Sequence, residues 1–159
     1  MEQLRARREA FHGAKSLMRV RATTGGKTQS FRAQLVVHDA RRMELIAYTP
    51  VGTTAAVIRA DGDQVSVDNR LEGTKTEGDV SQVFGFLGTV LPPAEMSMLI
   101  LGIPPRDGLS YDVDAAGLRR ASLGEMTAVF DPPSFPATKV VVTRGDDRIE
   151  IEHLEVVSE

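Results

Sequence analysis

The chain has 159 residues, 42% of them hydrophobic and 26% charged, with a formal net charge of -3; this suits one domain with its own core. Aromatics are only 5%, tryptophan is absent, and no basic stripe dominates, which argues against a nucleic-acid binder. The lack of cysteine excludes disulfides, thiol catalysis and cysteine-based zinc sites.

Taken in order, Met1–Ala10 is charged and helical in character and lacks the pattern of a signal peptide. An amphipathic helix is predicted over 2–15, with Leu4, Arg8, Phe11 and Ala14 roughly on one side. Strands follow at Leu17–Ala22 and Thr28–His38, joined across Thr24-Gly25-Gly26-Lys27, with Phe31, Ala33, Leu35 and Val37 on one face of the second. Met43–Thr49 and Thr53–Ala60 are joined by Pro50-Val51-Gly52. Asp61-Gly62-Asp63 turns into Gln64–Asn69, and Leu71–Thr76 is a short sixth strand.

The pattern changes over Gly78–Pro105, where two apolar blocks, Val80–Leu87 and Ala94–Ile103, meet across Pro92-Pro93. Each allows two or three helical turns and is far too short to cross a bilayer. Asp79 or Ser81 caps the first; Pro92, Pro93 and Glu95 suit the first turn of the second, which Gly102 and Pro104 stop. The second block is apolar nearly all round and needs a greasy surface on more than one side. Strands resume at Tyr111–Ala115, Leu118–Leu123, Met126–Asp131, Lys139–Arg144 and Arg148–Val156, with the DPPSFP segment from Asp131 to Pro136 kept out of any central ladder. The expected fold is therefore mainly β: a strongly curved antiparallel sheet of about ten or eleven strands, forming an incomplete barrel under a helical lid at 79–103. One domain spans 1–159, with no repeat or linker.

No catalytic constellation emerges. Arg21–Thr28, RATTGGKT, lacks the first glycine of a phosphate-binding loop, and Lys27 precedes a strand. His12, His38 and His153 are scattered without metal-ligand spacing. Ser97 and Ser134 lie outside any nucleophile elbow, and Asp61, Asp63 and Asp68 read as solvated turn acids rather than a calcium loop. The protein is expected to be no enzyme and to use no metal or cofactor.

The segment Tyr48–Arg59, YTPVGTTAAVIR, resembles the LolB-like outer-membrane lipoprotein receptors of the LolA/LolB lipoprotein-carrier family. There a strand ends in a P-[hydrophobic]-G-[ST] turn, and two helices around a P-x-P step end in LGxP. Here these are Leu91-Pro92-Pro93 and Leu101-Gly102-Ile103-Pro104, followed by Pro133–Pro136 and the closing strand Arg148–Val156. The likeness runs from about Phe11 to the end. It implies an apolar cavity for lipoprotein acyl chains or another lipid, exchange with a periplasmic LolA-like carrier, and a monomer. It also implies a place on the periplasmic side of the outer membrane, through a lipid anchor on a cysteine that this chain does not contain. The resemblance makes Pro50, Val51 and Gly52 a membrane-insertion loop, with Val51 standing where the family carries leucine; the closing strand holds His153-Leu154 where a tryptophan is expected.

A site for acyl chains should be wide, apolar and adaptable. Leu35, Val37, Leu45, Ala47 and Val57 are its expected walls, and Val83, Phe84, Leu87, Met96, Leu99 and Ile100 its lid, with methionine suited to refitting around different ligands. Strands Gln34–His38 and Ala55–Ile58 carry apolar residues on both faces. The alternative is a protein-binding scaffold or sensor domain with the same residues closed into a filled core.

Overall fold

Alternation of apolar and polar residues gives each strand one face to bury, and successive tight turns pair neighbours antiparallel. A computed structural model shows the result; it describes residues 2–62, 64–78, 91–114, 117–131 and 138–158. Helix α1 (Glu2–Glu9) precedes six strands: β1 (Ala14–Thr24), β2 (Lys27–Val37), β3 (Arg42–Tyr48), β4 (Thr54–Asp61), β5 (Gln64–Asn69) and β6 (Thr74–Gly78). Helix α2 (Pro93–Ile100) follows, and then β7 (Ser110–Asp114), β8 (Gly117–Leu123), β9 (Met126–Asp131), β10 (Lys139–Arg144) and β11 (Asp147–Ser158).

All eleven strands form one curved antiparallel sheet in the order β6-β5-β4-β3-β2-β1-β11-β10-β9-β8-β7. Two meanders, β1–β6 and β7–β11, are joined where the first strand pairs with the last. The sheet stops short of a barrel: β6 and β7 are its two edges. The incomplete barrel read from the sequence is the observed architecture.

The N-terminal helix is shorter than its sequence suggests. It ends at Glu9, and Ala14 and Lys15 belong to β1. Gly13 takes φ 117° between them, and β1 finds ladder partners on both sides, Val37 and Val36 on β2 and Ser158 and Val157 on β11. Two full ladders outweigh the weak cohesion of one more helical turn. The sixth strand also shifts. Asn69 Oδ1 accepts from the backbone N–H of Leu71 and of Glu72, both at 3.1 Å, so these residues form a turn and the strand begins at Thr74. The first lid block, with Val83, Phe84 and Leu87, and the segment 132–136 lie outside the described residues.

Candidate functional site

The inner face of the sheet is apolar along nearly its whole width. Ala14, Met18 and Val20 of β1 face the same side as Ala33, Leu35 and Val37 of β2, Met43 and Leu45 of β3, and Ala60 of β4. Ile149, Ile151, Val140, Val142 and Phe130 continue it across the second meander. α2 lies on this face, against β2, β3 and β4.

Every residue of α2 is buried. The sequence prepares this: Ala94, Met96, Met98, Leu99 and Ile100 leave no polar stripe, and such a helix is stable only when surrounded. Its two polar residues are satisfied. Ser97 Oγ donates to the Pro93 carbonyl at 2.8 Å, and Glu95 is held by both forks of Arg106, with Nε at 2.6 Å from Oε1. That carboxylate raises the Arg106 pKa above its ordinary value, chiefly through the hydrogen bond.

The C-terminal end of α2 is closed in two ways. Gly102, at φ 87°, directs its N–H to Leu99 O and the Ile103 N–H to Met98 O, both at 2.9 Å. This is a Schellman turn, and it leaves the Ile100 carbonyl without a backbone partner. His153 Nε2 lies 2.9 Å from that oxygen, and its Nδ1 lies 2.6 Å from Ser16 Oγ. A carbonyl only accepts, so Nε2 carries the proton and Nδ1 accepts from the serine hydroxyl. Burial favours the neutral imidazole and lowers its pKa below the ordinary value of 6.5 despite the opposing hydrogen bond to Ile100.

His153 continues the inward run of Ile149 and Ile151 on β11, and a bulge follows it. The ladder with β1 shifts between Leu17 and Met18, so Leu17 faces Glu155 and Met18 faces His153, leaving Leu154 as the extra residue. Val156 joins His153 on the inner side in consequence, whereas Val157, which plain alternation would turn inward, is 53% exposed.

The structure gathers six of the expected cavity residues in one layer: Leu35, Val37 and Leu45 from the sheet and Met96, Leu99 and Ile100 from α2, none more than 4% exposed. Ala47 shares their face but is half-buried. Val57 is a correction. It pairs with Ile46, on the side opposite Leu45, and its burial comes from the outer surface; strand parity sends alternate residues to opposite faces, and Ile58 is the inward residue. Ser16, Met18, Met43, Met98, Leu101, Ile103 and His153 belong to this layer and were not among the expected site residues. The inward run Ile149-x-Ile151-x-His153 is the pattern that would have pointed to the histidine.

The layer is closed. Residues at 0–4% exposure on both sides leave no room for water between α2 and the sheet. An open recess of about 590 Å3 is bordered by charged residues such as Arg42, Glu44, Arg59 and Asp61 together with Met43, Ala60 and Val65. Pro50, Val51 and Gly52 lie apart from the layer in the exposed β3–β4 turn. No group of three or more metal-ligating side chains occurs among the described residues.

Comparison of the sequence with family models and with curated proteins gives no match. Solved structures do match. A DUF1329 family protein from Desulfovibrio piger superposes with TM-score 0.65 at 9% identity, covering 99% of this chain and 90% of the other. A LolA superfamily protein from Nitrosomonas europaea gives 0.60 at 8% identity, over 99% and 93%. The fold is LolA/LolB-like. A domain from Vibrio parahaemolyticus assigned to outer-membrane lipoprotein sorting gives 0.64 at 10% identity, over 99% and 90%. At these identities the likeness is one of fold alone.

Proposed function

We propose that this protein binds lipid acyl chains, those of lipoproteins in the first place, on the inner face of its sheet, and that α2 occupies the site when it is empty. The observation that carries the reading is the pairing of a broad apolar trough with one short, mostly apolar helix that is buried on every side. An acyl chain replacing α2 exchanges one set of apolar contacts for another, so the sheet side of the exchange is nearly balanced. All five methionines after Met1 (Met18, Met43, Met96, Met98 and Met126) lie in this layer, each at most 2% exposed, and flexible thioethers refit readily to a new occupant. The LolA-like fold and the lipoprotein-sorting description of one structural neighbour support the cargo class. On this reading the protein acts by binding rather than catalysis. It works in the cell envelope, receiving lipoproteins from a LolA-like carrier and delivering them at the periplasmic side of the outer membrane, with the Pro50-Val51-Gly52 turn as the delivering loop.

The complete burial of α2 favours a second reading, a protein-binding scaffold in which the helix is permanent core. Hydrogen exchange at saturating lipid separates the two. With a fluorescent fatty acid bound, amides of α2 and the 101–103 turn are expected to lose protection while β1, β2 and β11 keep theirs. Unchanged protection in α2, or no saturable uptake of the probe and no co-purified lipid in native mass spectrometry, would reject the carrier reading.

A further inference from the structure

We infer that the open edge of β2 over Lys27–Phe31 takes up an extended peptide as an added strand, parallel to β2, with the peptide's free C-terminal carboxylate at Arg32. This goes beyond the lipid-binding reading and does not depend on it. β1 and β2 pair without a break from Ala14 and Val37 to Thr24 and Lys27, whereas β3 accompanies β2 only as far as Arg32, opposite Tyr48. Among the described residues β1 is therefore the only strand paired with Lys27–Phe31.

Which backbone groups stand free follows from the β1–β2 turn. Gly25 and Gly26, at φ 60° and 78°, make a two-residue loop that leaves Thr24 and Lys27 as a hydrogen-bonded pair. Along β2 the N–H and C=O of odd-numbered residues then point to β1, and those of even-numbered residues point away. The other end of the strand keeps the same phase, for the His38 N–H donates to Arg42 O at 3.0 Å on the β3 side. Thr28 and Ser30, both exposed, thus present N–H and C=O to the open side. The outermost edges of the sheet are guarded, by Lys75 in β6 and by the bulged pairing of β7 with β8. Thr28-Gln29-Ser30-Phe31 has no charge, no proline and no break in its register, which is the state in which an edge recruits another strand.

The direction of the peptide is set by what lies beyond this edge. Tyr48 and the turn that follows it take the next place in line with an added strand, so the peptide has to end beside Phe31 and Arg32. Arg32 is exposed and has no ion pair among the described residues. It borders a recess of about 220 Å3 with Leu17, Tyr48, Thr49, Pro50 and Gly52. Across the β1–β2 ladder it faces Arg19, which reaches Glu152 at 3.4 Å; like charges so placed cost stability until an anion joins them. A terminal carboxylate suits that place and a terminal ammonium does not, and this selects the parallel direction. Phe31 is half-buried on the inner face, so the last residue of the peptide, beside it, is apolar.

The test passes a random hexapeptide library over the immobilised full chain, once with free carboxylates and once as C-terminal amides, and identifies the retained peptides by mass spectrometry. Free acids ending in an apolar residue are expected to be retained roughly tenfold or more over the amides, the worth of a hydrogen-bonded arginine–carboxylate pair. Arg32→Gln should bring acids and amides level. Ser30→Pro removes one donor from the open side and none from the β1 ladder, and should abolish retention of both; circular dichroism and the thermal midpoint show whether each variant is folded. The wild type gives a reading without any substitution. On saturation with a retained peptide the Thr28 and Ser30 amides should gain protection from exchange, while those of Gln29 and Phe31, bonded to β1, are protected already. Equal retention of acids and amides, no retention at all, or peptide binding that leaves Thr28 and Ser30 unprotected would overturn the inference. So would protection of these two amides in the chain alone that grows with its concentration, which would give the edge to a second copy.

Discussion

His153 is the residue on which the closed state turns. It is 7% exposed, its ring joins Ser16 on β1 to the last carbonyl of α2, and neither partner titrates near neutrality. Its pKa in the closed protein lies below the ordinary histidine value. An opened or unfolded protein therefore binds the proton more readily than the closed one. The sign follows: stability of the closed state is complete above about pH 6.5 and falls as the pH drops below that value toward the depressed one. Protection factors of α2 amides, corrected for the intrinsic pH dependence of exchange, are expected to fall between pH 7.5 and pH 5.5 in the wild type, and His153→Gln, which retains a donor toward Ile100, should flatten that dependence. An equal pH response in the variant would place the titrating group elsewhere. His153→Ala leaves the Ile100 carbonyl and the Ser16 hydroxyl buried without partners, and is expected to cost roughly 1–3 kcal/mol, read as a lower midpoint in urea.

At the scale of the element, α2 is core by burial and lid by position. It has only eight residues, too few for a helix that stands alone in water, and its hold on the sheet consists of side-chain packing, the Arg106–Glu95 pair and the contact to His153. The turn that follows is fastened to α1: Asp107 accepts from Arg8 at 3.1 Å and pairs with Arg5 at 3.5 Å, and these partners lower its pKa, the hydrogen bond from Arg8 first. Leu99 is wholly buried, so Leu99→Ala is expected to cost roughly 2–5 kcal/mol through lost contacts and the space left behind. The same space should tighten uptake of a fluorescent fatty acid if α2 is displaced during binding. Lower stability with weaker or unchanged uptake would count against displacement.

At the scale of the molecule, the β1–β11 ladder makes one sheet of two meanders, since it is the only join between β1–β6 and β7–β11 in the strand order. α2 crosses the same divide: it packs on β2–β4 yet is fastened to β11 through His153. The two halves are therefore expected to unfold together. The chain has two tyrosines and no tryptophan, Tyr48 on β3 and Tyr111 on β7, one in each meander. Tyr48→Phe and Tyr111→Phe leave one reporter apiece, and their fluorescence melts should coincide with each other and with the loss of circular dichroism. Separated midpoints would mean that the β1–β11 seam does not couple the meanders.

The sequence alone determined the class of the fold and the place of most strands and turns. Period-2 alternation and Gly- or Asp-bearing turns such as Asp61-Gly62 and Gly145-Asp146 act between neighbours a few residues apart, and those interactions are local. It also marked α2, because no polar face interrupts Ala94–Ile100. Only the tertiary structure decided that Val57 faces outward while Ile58 faces in, that the N-terminal helix yields Ala14 and Lys15 to β1, that His153 meets the Ile100 carbonyl, and that a bulge at Leu154 turns Val156 inward. Each of these depends on a partner far off in the sequence, or on a parity that shifts by one residue at a bulge, and neither distance nor parity is written in local composition. The place of α2 on the apolar face was decided in the same way, because side chains that would line a cavity serve equally well to pack a helix.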